Sequence, residues 1–224
     1  MTQARLFTTL RVAEGEILFW PDHVARLRVG GALDEEALRT RIAAAVRGMA
    51  DARVRITLRP PEPPRIEARE YAPPSEPWRL RPVTVSPAGD APLPKTTDRA
   101  RYDEARAGAG DADDALLLGP RGEVLETTVA NVFFRLPGGG LVTPRDGGIL
   151  PGIVRARLLG RARETALGLA EAAHATACVV TNAVLLVHPV ASIEGVAEYD
   201  SPGLARDLRE EVARMAPGIR IIRR

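Results

Sequence analysis

Proline placement constrains this chain more than any other feature. Eleven of its 19 prolines fall between Pro60 and Pro94. Proline lacks an amide hydrogen and fixes φ, so such a stretch favours edge strands, turns and linkers over helices. On either side the hydrophobic pattern is regular. The sequence therefore predicts mixed α/β structure in two lobes: a smaller N-terminal α/β lobe over 1–85, an interdomain linker over 86–94 and a larger C-terminal α/β lobe over 95–224. At 224 residues the chain is long enough to bury a substantial core.

Before the proline-rich stretch, Glu16–Phe19 reads as a strand and Asp22 as the cap of a short helix through Leu27. Asp34, Glu35 and Glu36 open a longer helix, with Leu38, Ile42, Ala45, Val46 and Met49 along one face. Val54, Ile56 and Leu58 alternate as in a half-buried strand, and Arg65–Glu70 and Arg79–Val85 are further strands. Beyond it, Asp98–Arg106 reads as a helix. Short strands follow at Ala115–Leu118, Val124–Leu125 and Asn131–Leu136, with a Gly-rich hairpin at Pro137–Gly140. A helix is predicted from Pro151 or Gly152 to about Ala166, then strands at Cys178–Thr181 and Val190–Ile193 and a last helix over Pro202–Met215.

Composition excludes several classes. Apolar residues make up 45% and charged ones 27%, so the chain is neither disordered nor collagen-like. Its 31 basic and 29 acidic side chains nearly cancel, and no basic run is long enough to track phosphates; a nucleic-acid partner is not expected. The single cysteine, Cys178, allows no intrachain bridge and sits in an apolar strand. There is no apolar leader and no stretch near the roughly 20 residues of a membrane span, so a cytoplasmic location with no membrane partner is the expectation.

Three features carry candidate chemistry. Thirty of the basic residues are arginine and one is lysine, Lys95. Arginine stays charged at working pH, so it forms no Schiff base and cannot act as an amine base. A lone lysine can be a remnant of composition. This one, however, follows Pro92-Leu93-Pro94 and leads into a helix, at a domain junction of the kind where clefts form. Glu126 ends a turn-then-strand segment and precedes Thr127-Thr128, a setting that, read alone, also suits a solvated edge charge. Gly147–Arg155 runs through glycines and a proline into a helix, a pattern that can present backbone N–H groups to a phosphate or simply cap a helix.

Taken together, and in this order, the motifs resemble those of the fold-type IV pyridoxal-phosphate enzymes, the class IV aminotransferases. Leu6–Val12 with Gly15 resembles the family's opening strand, and His23-Val24-Ala25-Arg26-Leu27 its H-x-x-R-L helix. Lys95-Thr96 matches the Schiff-base lysine segment. Asp114–Leu118, Gly122, Glu126 and Asn131-Val132-Phe133 match its D-E-A-L-L-L…G…E…N-V-F block. Thr143-Pro144 and Leu150–Arg155 match T-P…L-P-G-x-x-R, and Thr181-Asn182-Ala183 with Pro189-Val190 the last phosphate-side turn. Members commonly carry a further strand and a D-R…G-D-G loop ahead of the opening strand; this sequence begins close to that strand.

The resemblance implies a two-lobed D-amino acid aminotransferase-like fold with pyridoxal 5'-phosphate between the lobes, in a homodimer. Lys95 would bind the cofactor covalently and then move protons as a free amine. Glu126 would hold the pyridine nitrogen protonated and Arg26 would pair with the phosphate. Backbone amides of Ile153 and Val154 and the Thr181–Asn182 turn would complete the phosphate cup. His23 would support Arg26, Asn131 would tie strands together, and His174 and His188 would be structural. No metal is implied.

Within the family three details resemble 4-amino-4-deoxychorismate lyase. The opening strand reads Phe7-Thr8-Thr9 where many aminotransferases have F-E-T. Lys95-Thr96-Thr97-Asp98-Arg99 resembles the lyase's K-x-x-N-R, with Asp98 in place of asparagine, and Ala100 stands where branched-chain aminotransferases carry a tyrosine. Asn182–Leu185 ahead of Pro189-Val190 resembles its N-A-L…P-V end. The expected substrate is a small-molecule amine. Conversion of 4-amino-4-deoxychorismate to 4-aminobenzoate and pyruvate is the leading reading; transamination of branched-chain or D-amino acids, and a non-catalytic binding role on the same fold, are the alternatives.

Overall fold

The computed structural model describes residues 5–87, 93–145, 147–216 and 218–220; the centre of the expected linker, residues 88–92, lies outside them. In chain order the elements are β1 (Phe7–Ala13), β2 (Glu16–Ile17), α1 (Trp20–Arg28), α2 (Glu35–Ala45), β3 (Asp51–Arg59), β4 (Glu62–Glu70), β5 (Trp78–Thr84), α3 (Ala100–Gly108), β6 (Asp114–Leu118) and β7 (Val124–Thr127). They continue with β8 (Asn131–Arg135), β9 (Leu141–Pro144), α4 (Ile153–Leu158), β10 (Ala162–Thr165), α5 (Leu169–His174), β11 (Ala177–Asn182), β12 (Leu186–Ile193), β13 (Ala197–Glu198), α6 (Pro202–Arg214) and β14 (Ile219–Arg220). No helix among the described residues is long and apolar enough to cross a membrane.

Two compact units result, and neither is one continuous stretch. The first takes in Met1–Pro73, Pro94–Asp98 and Met215–Arg224; the second takes in Pro74–Leu93 and Arg99–Arg214. β5 thus belongs with the later strands, and Lys95 belongs with the first unit rather than with the C-terminal lobe. The cause is backbone pairing: the Lys95 segment is hydrogen-bonded along the start of β1.

The first unit is built on an antiparallel five-stranded sheet ordered β14-β2-β1-β3-β4. Val54 and Ile56 of β3 lie on its buried face, opposite Leu10 and Thr8 of β1 across the ladder. Period-two alternation sets that register, since a slip of one residue would turn these side chains to the other face. α2 forms as its sequence predicts. Asp34 caps it by accepting from Ala37 N at 3.0 Å, and Leu38 and Ile42 bury one face together with Val46, which caps its C-terminal end. α1 differs from expectation. It begins at Trp20, before Asp22, and its N-cap is Phe19 in a left-handed conformation. Pro21 in the first turn needs no intrahelical partner, and Asp22 sits inside that turn near the positive helix end.

The second unit is built on a mixed sheet ordered β10-β9-β8-β11-β12-β5-β6-β7, with β13 beside β12. β6 and most of β8 and β11 are buried along their length, as in strands covered on both faces. Leu204, Ala205, Leu208 and Val212 of α6 are buried, and that helix packs on β12. The helix expected through Ala166 stops at Leu158, and Ala162–Thr165 becomes β10 instead. Its residues pair parallel with Leu141–Pro144, so a ladder with a distant strand outweighs the helical spacing of Leu158 and Ala162.

Candidate active site

In the first unit, two backbone ladders place Lys95. Phe7 N donates to Lys95 O at 2.9 Å, and Leu6 and Thr96 form an antiparallel bridge. Arg5 N donates to Thr97 Oγ1 at 3.0 Å and Thr97 N to Arg5 O at 2.8 Å. An extended segment after Pro94 can make these bonds; a helix could not. The Lys95 ammonium lies 5.0 Å from the centre of the Phe7 ring. Burial lowers the pKa of the Arg26 guanidinium on α1, and the Asp22 charge opposes that shift.

His23, on the same helix, is completely buried. Its Nδ1 shares a 2.7 Å hydrogen bond with Thr8 Oγ1, and its Nε2 has no partner among the described residues. Burial drives its pKa down to about 3, and the positive charges of Arg26 and Lys95 add to the effect. A neutral imidazole therefore braces β1 against α1 amid two cations. Supporting Arg26 was the role expected of His23; its bond to Thr8 carried no sequence signal beyond the motif.

In the second unit, a tight turn creates the acidic centre. Thr127 N bonds Ala130 O at 2.8 Å, and Thr127 Oγ1 accepts from Ala130 N at 3.0 Å. Thr128 Oγ1 donates to buried Asp114 Oδ1 at 2.5 Å, tying the turn to β6. Because β7 turns directly into β8, Glu126 and Asn131 meet although five residues apart. Glu126 is only 3% exposed. Its Oε1 accepts from Tyr102 Oη at 2.8 Å and from Leu150 N at 3.0 Å; its Oε2 accepts from Asn131 Nδ2 at 3.1 Å. Asn131 Nδ2 also donates to Leu150 O at 3.0 Å, so the amide joins the carboxylate to the Gly-rich loop as well as joining strands. A buried carboxylate with several donors is one whose charged form is supported.

The same loop explains the glycine of L-P-G. A Cβ on Gly152 would stand 1.9 Å from Asn131 Oδ1, so only glycine lets the loop pass this close. Gly152 is the N-cap of α4, and Ile153 and Val154 are the first residues of that helix, with no side chain capping it. On β11, Thr181 Oγ1 is buried with no hydrogen-bond partner among the described residues. The Asn182 side chain, by contrast, is used within its turn: Oδ1 accepts from Val184 N and Leu185 N at 2.8 Å each, and Nδ2 donates to Val129 O at 3.2 Å. His174 and His188 each bond a backbone carbonyl, of Ala170 and Glu76. No cluster of three or more His, Cys, Asp or Glu suited to a metal occurs among the described residues.

Tyr102 and Leu150 N were not foreseen from the sequence; each reveals itself only through its bond to Glu126. Each unit, taken by itself, carries groups whose chemistry suits part of pyridoxal phosphate: a primary amine and a half-buried guanidinium in the first, for an aldehyde and a phosphate, and a buried carboxylate and an orphaned threonine hydroxyl in the second, for a ring nitrogen and a phosphate.

Residues 5–193 match the family profile of amino-transferase class IV. Among solved structures, a candidate amino-acid aminotransferase from Mesorhizobium loti is 30% identical, with 85% of this chain and 100% of that one covered and a TM-score of 0.73. A candidate 4-amino-4-deoxychorismate lyase from Legionella pneumophila is 22% identical over 94% of this chain and 90% of that one, with a TM-score of 0.77. A hypothetical aminotransferase from Mycobacterium tuberculosis in its PLP-bound form is 18% identical over 93% of this chain and 87% of that one, with a TM-score of 0.76. A search of curated proteins finds no match. On the profile match and the Mesorhizobium relative, the chain belongs to the class IV aminotransferase family, whose cofactor is pyridoxal phosphate.

Proposed function

We propose that the protein is a lyase that converts 4-amino-4-deoxychorismate to 4-aminobenzoate and pyruvate. The observation that carries this reading is Thr8. Where the aminotransferase form of the opening strand has glutamate, this chain buries a threonine and spends its hydroxyl on His23. Position 8 therefore adds no carboxylate beside Arg26 and Lys95, and the surroundings favour a substrate bearing two carboxylates. Ala100, at the start of α3, likewise lacks the hydroxyl of the branched-chain enzymes.

In this reading Lys95, Arg26, Glu126, the Ile153 and Val154 amides and the Thr181–Asn182 turn all serve one pyridoxal phosphate. When bound, the cofactor supplies an electron sink for the carbon that carries the substrate amine. Lys95 Nζ would take the proton from that carbon, enolpyruvate would leave the neighbouring carbon with the bonding electron pair and take up a proton to become pyruvate, returning Lys95 to its free-amine form, and the ring would become aromatic. Arg26 holds the phosphate. Glu126, fixed by its donors, would keep a proton on the ring nitrogen. Asn182 contributes through backbone, since its side chain is occupied. By family likeness the enzyme works in the cytoplasm as a homodimer, which sedimentation would read as twice the 24.1 kDa chain.

Transamination is the second reading, favoured by the identity to the Mesorhizobium protein. The test supplies cofactor-loaded enzyme with 4-amino-4-deoxychorismate and no keto acid. Equimolar pyruvate and 4-aminobenzoate are expected. Turnover of branched-chain or D-amino acids, strictly dependent on an added keto acid, would overturn the lyase assignment in favour of transamination.

A further inference from the structure

Tyr102 lies in the first turn of α3, seven residues after Lys95, in a position that no motif of this sequence marks. Its hydroxyl is the 2.8 Å donor to Glu126 Oε1. Three further contacts hold it there. The Arg99 guanidinium stands 4.8 Å above its ring and donates to Thr128 O at 2.8 Å, in the turn that follows Glu126. Arg101 donates to Gly148 O at 3.1 Å, in the loop whose Leu150 N meets the same carboxylate oxygen. α3 is thereby tied to both segments that flank Glu126, and Val83 and Leu117 pack with it in one apolar cluster.

A carboxylate that must face one ring nitrogen has two ways to fail: rotation about its own bonds, and capture of a proton. A donor to each oxygen opposes both, because it fixes the carboxylate plane and is lost on rotation, and because it favours the charged form. Asn131 supplies the bond to Oε2; Tyr102 and Leu150 N supply those to Oε1. Burial first, then the neighbouring Glu126 charge and the hydrogen bond to it, push the Tyr102 pKa up, so the phenol keeps its proton and can donate at neutral pH.

We propose that Tyr102 is a positioning residue, holding Glu126 in the orientation and ionised form that bind the cofactor's ring nitrogen. This rests on the reading of Glu126 as the partner of that nitrogen, and the test separates the two. Apoprotein is titrated with pyridoxal phosphate and with the analogue whose ring nitrogen is replaced by carbon, and both dissociation constants are read from protein fluorescence. The wild type is expected to prefer the nitrogen ring. Tyr102→Phe, which keeps the ring and its packing, is expected to cut that preference roughly tenfold, in keeping with loss of a hydrogen bond to a charged group. In a Glu126→Gln background the same substitution is expected to leave the ratio unchanged. If Tyr102→Phe weakens both ligands equally, or neither, while Glu126→Gln abolishes the preference, Tyr102 has no positioning role and only that proposal falls. If Glu126→Gln keeps the full preference, the assignment of Glu126 falls, and the role of Tyr102 with it.

Discussion

Alanine at position 152 should be far more damaging than its size suggests, and the damage should pass through Asn131. The backbone of Gly152 has φ −72° and ψ 139°, which alanine adopts without strain. The obstacle is contact. The added Cβ would stand 1.9 Å from Asn131 Oδ1, so the amide must retreat about 1.5 Å to restore the 3.4 Å of ordinary contact; Arg155 Cβ at 3.3 Å leaves no room on the other side. The retreating amide takes its Nδ2 out of both bonds, to Glu126 Oε2 and to Leu150 O. A bond to a charged group contributes about 1.5–3 kcal/mol and a neutral one about 1 kcal/mol, so Gly152→Ala should destabilise by about 2.5–4 kcal/mol. Urea unfolding of Gly152→Ala, Asn131→Ala and the double variant tests this. Asn131→Ala loses the same bonds and removes the obstructing atom. Adding Gly152→Ala to it should therefore cost nothing, or stabilise by about 0.5 kcal/mol through reduced chain entropy. A coupling energy of about 2 kcal/mol or more is expected. Simple additivity of the two single effects would refute the reasoning.

Other outcomes follow from the same structure. Reduction of cofactor-loaded protein with sodium borohydride should leave pyridoxal phosphate covalently attached after denaturation, and Lys95→Ala should lose that label; retention of the label would place the covalent link elsewhere. His23 is neutral in the folded protein down to about pH 3, whereas its ordinary pKa is 6.5. Between these values the unfolded chain binds more protons, so stability is full above 6.5 and falls by about 1.4 kcal/mol per pH unit as pH drops through that window. His23→Gln should remove that slope from urea midpoints measured at pH 7 and pH 5; an unchanged slope would show that His23 does not cause it. Ser201 Oγ, fully buried, accepts from Cys178 N at 3.0 Å and donates to Val190 O at 2.6 Å. Ser201→Ala should therefore cost about 1–3 kcal/mol in urea unfolding, and a loss under about 0.5 kcal/mol would contradict it.

What the sequence revealed depended on how local the cause was. α2 was legible because its cap, its first-turn acids and its buried face all lie within one dozen residues, and β3 because alternation is a property of neighbours. β10 was hidden: the stretch after Leu158 keeps a helical spacing, and only β9, far back in the chain, makes it a strand. Placement of Lys95 was hidden for the same reason, since its partners are Leu6 and Phe7. Among the candidate residues, motif order pointed to Lys95, Arg26 and Glu126 by chemical type. The hydroxyl of Tyr102 on Glu126 left no mark, because a single tyrosine on a short helix carries no period and no spacing that points across to β7.

The first unit's discontinuity has a consequence for how the molecule is made. Arg5 waits for Thr97, 92 residues later, and Glu16 for Arg220, 204 residues later. A nascent chain can lay down β1, β3 and β4 early, yet the slot along β1 stays empty and the flank of β2 stays bare until translation reaches each distant piece. The Lys95 segment can therefore pair only with a β1 synthesised long before it, and β14 can border β2 only after the second unit has been made. Severing the gene at Pro73 would not release an intact first unit. It would release a sheet lacking both β14 and the Lys95 segment that pairs along β1.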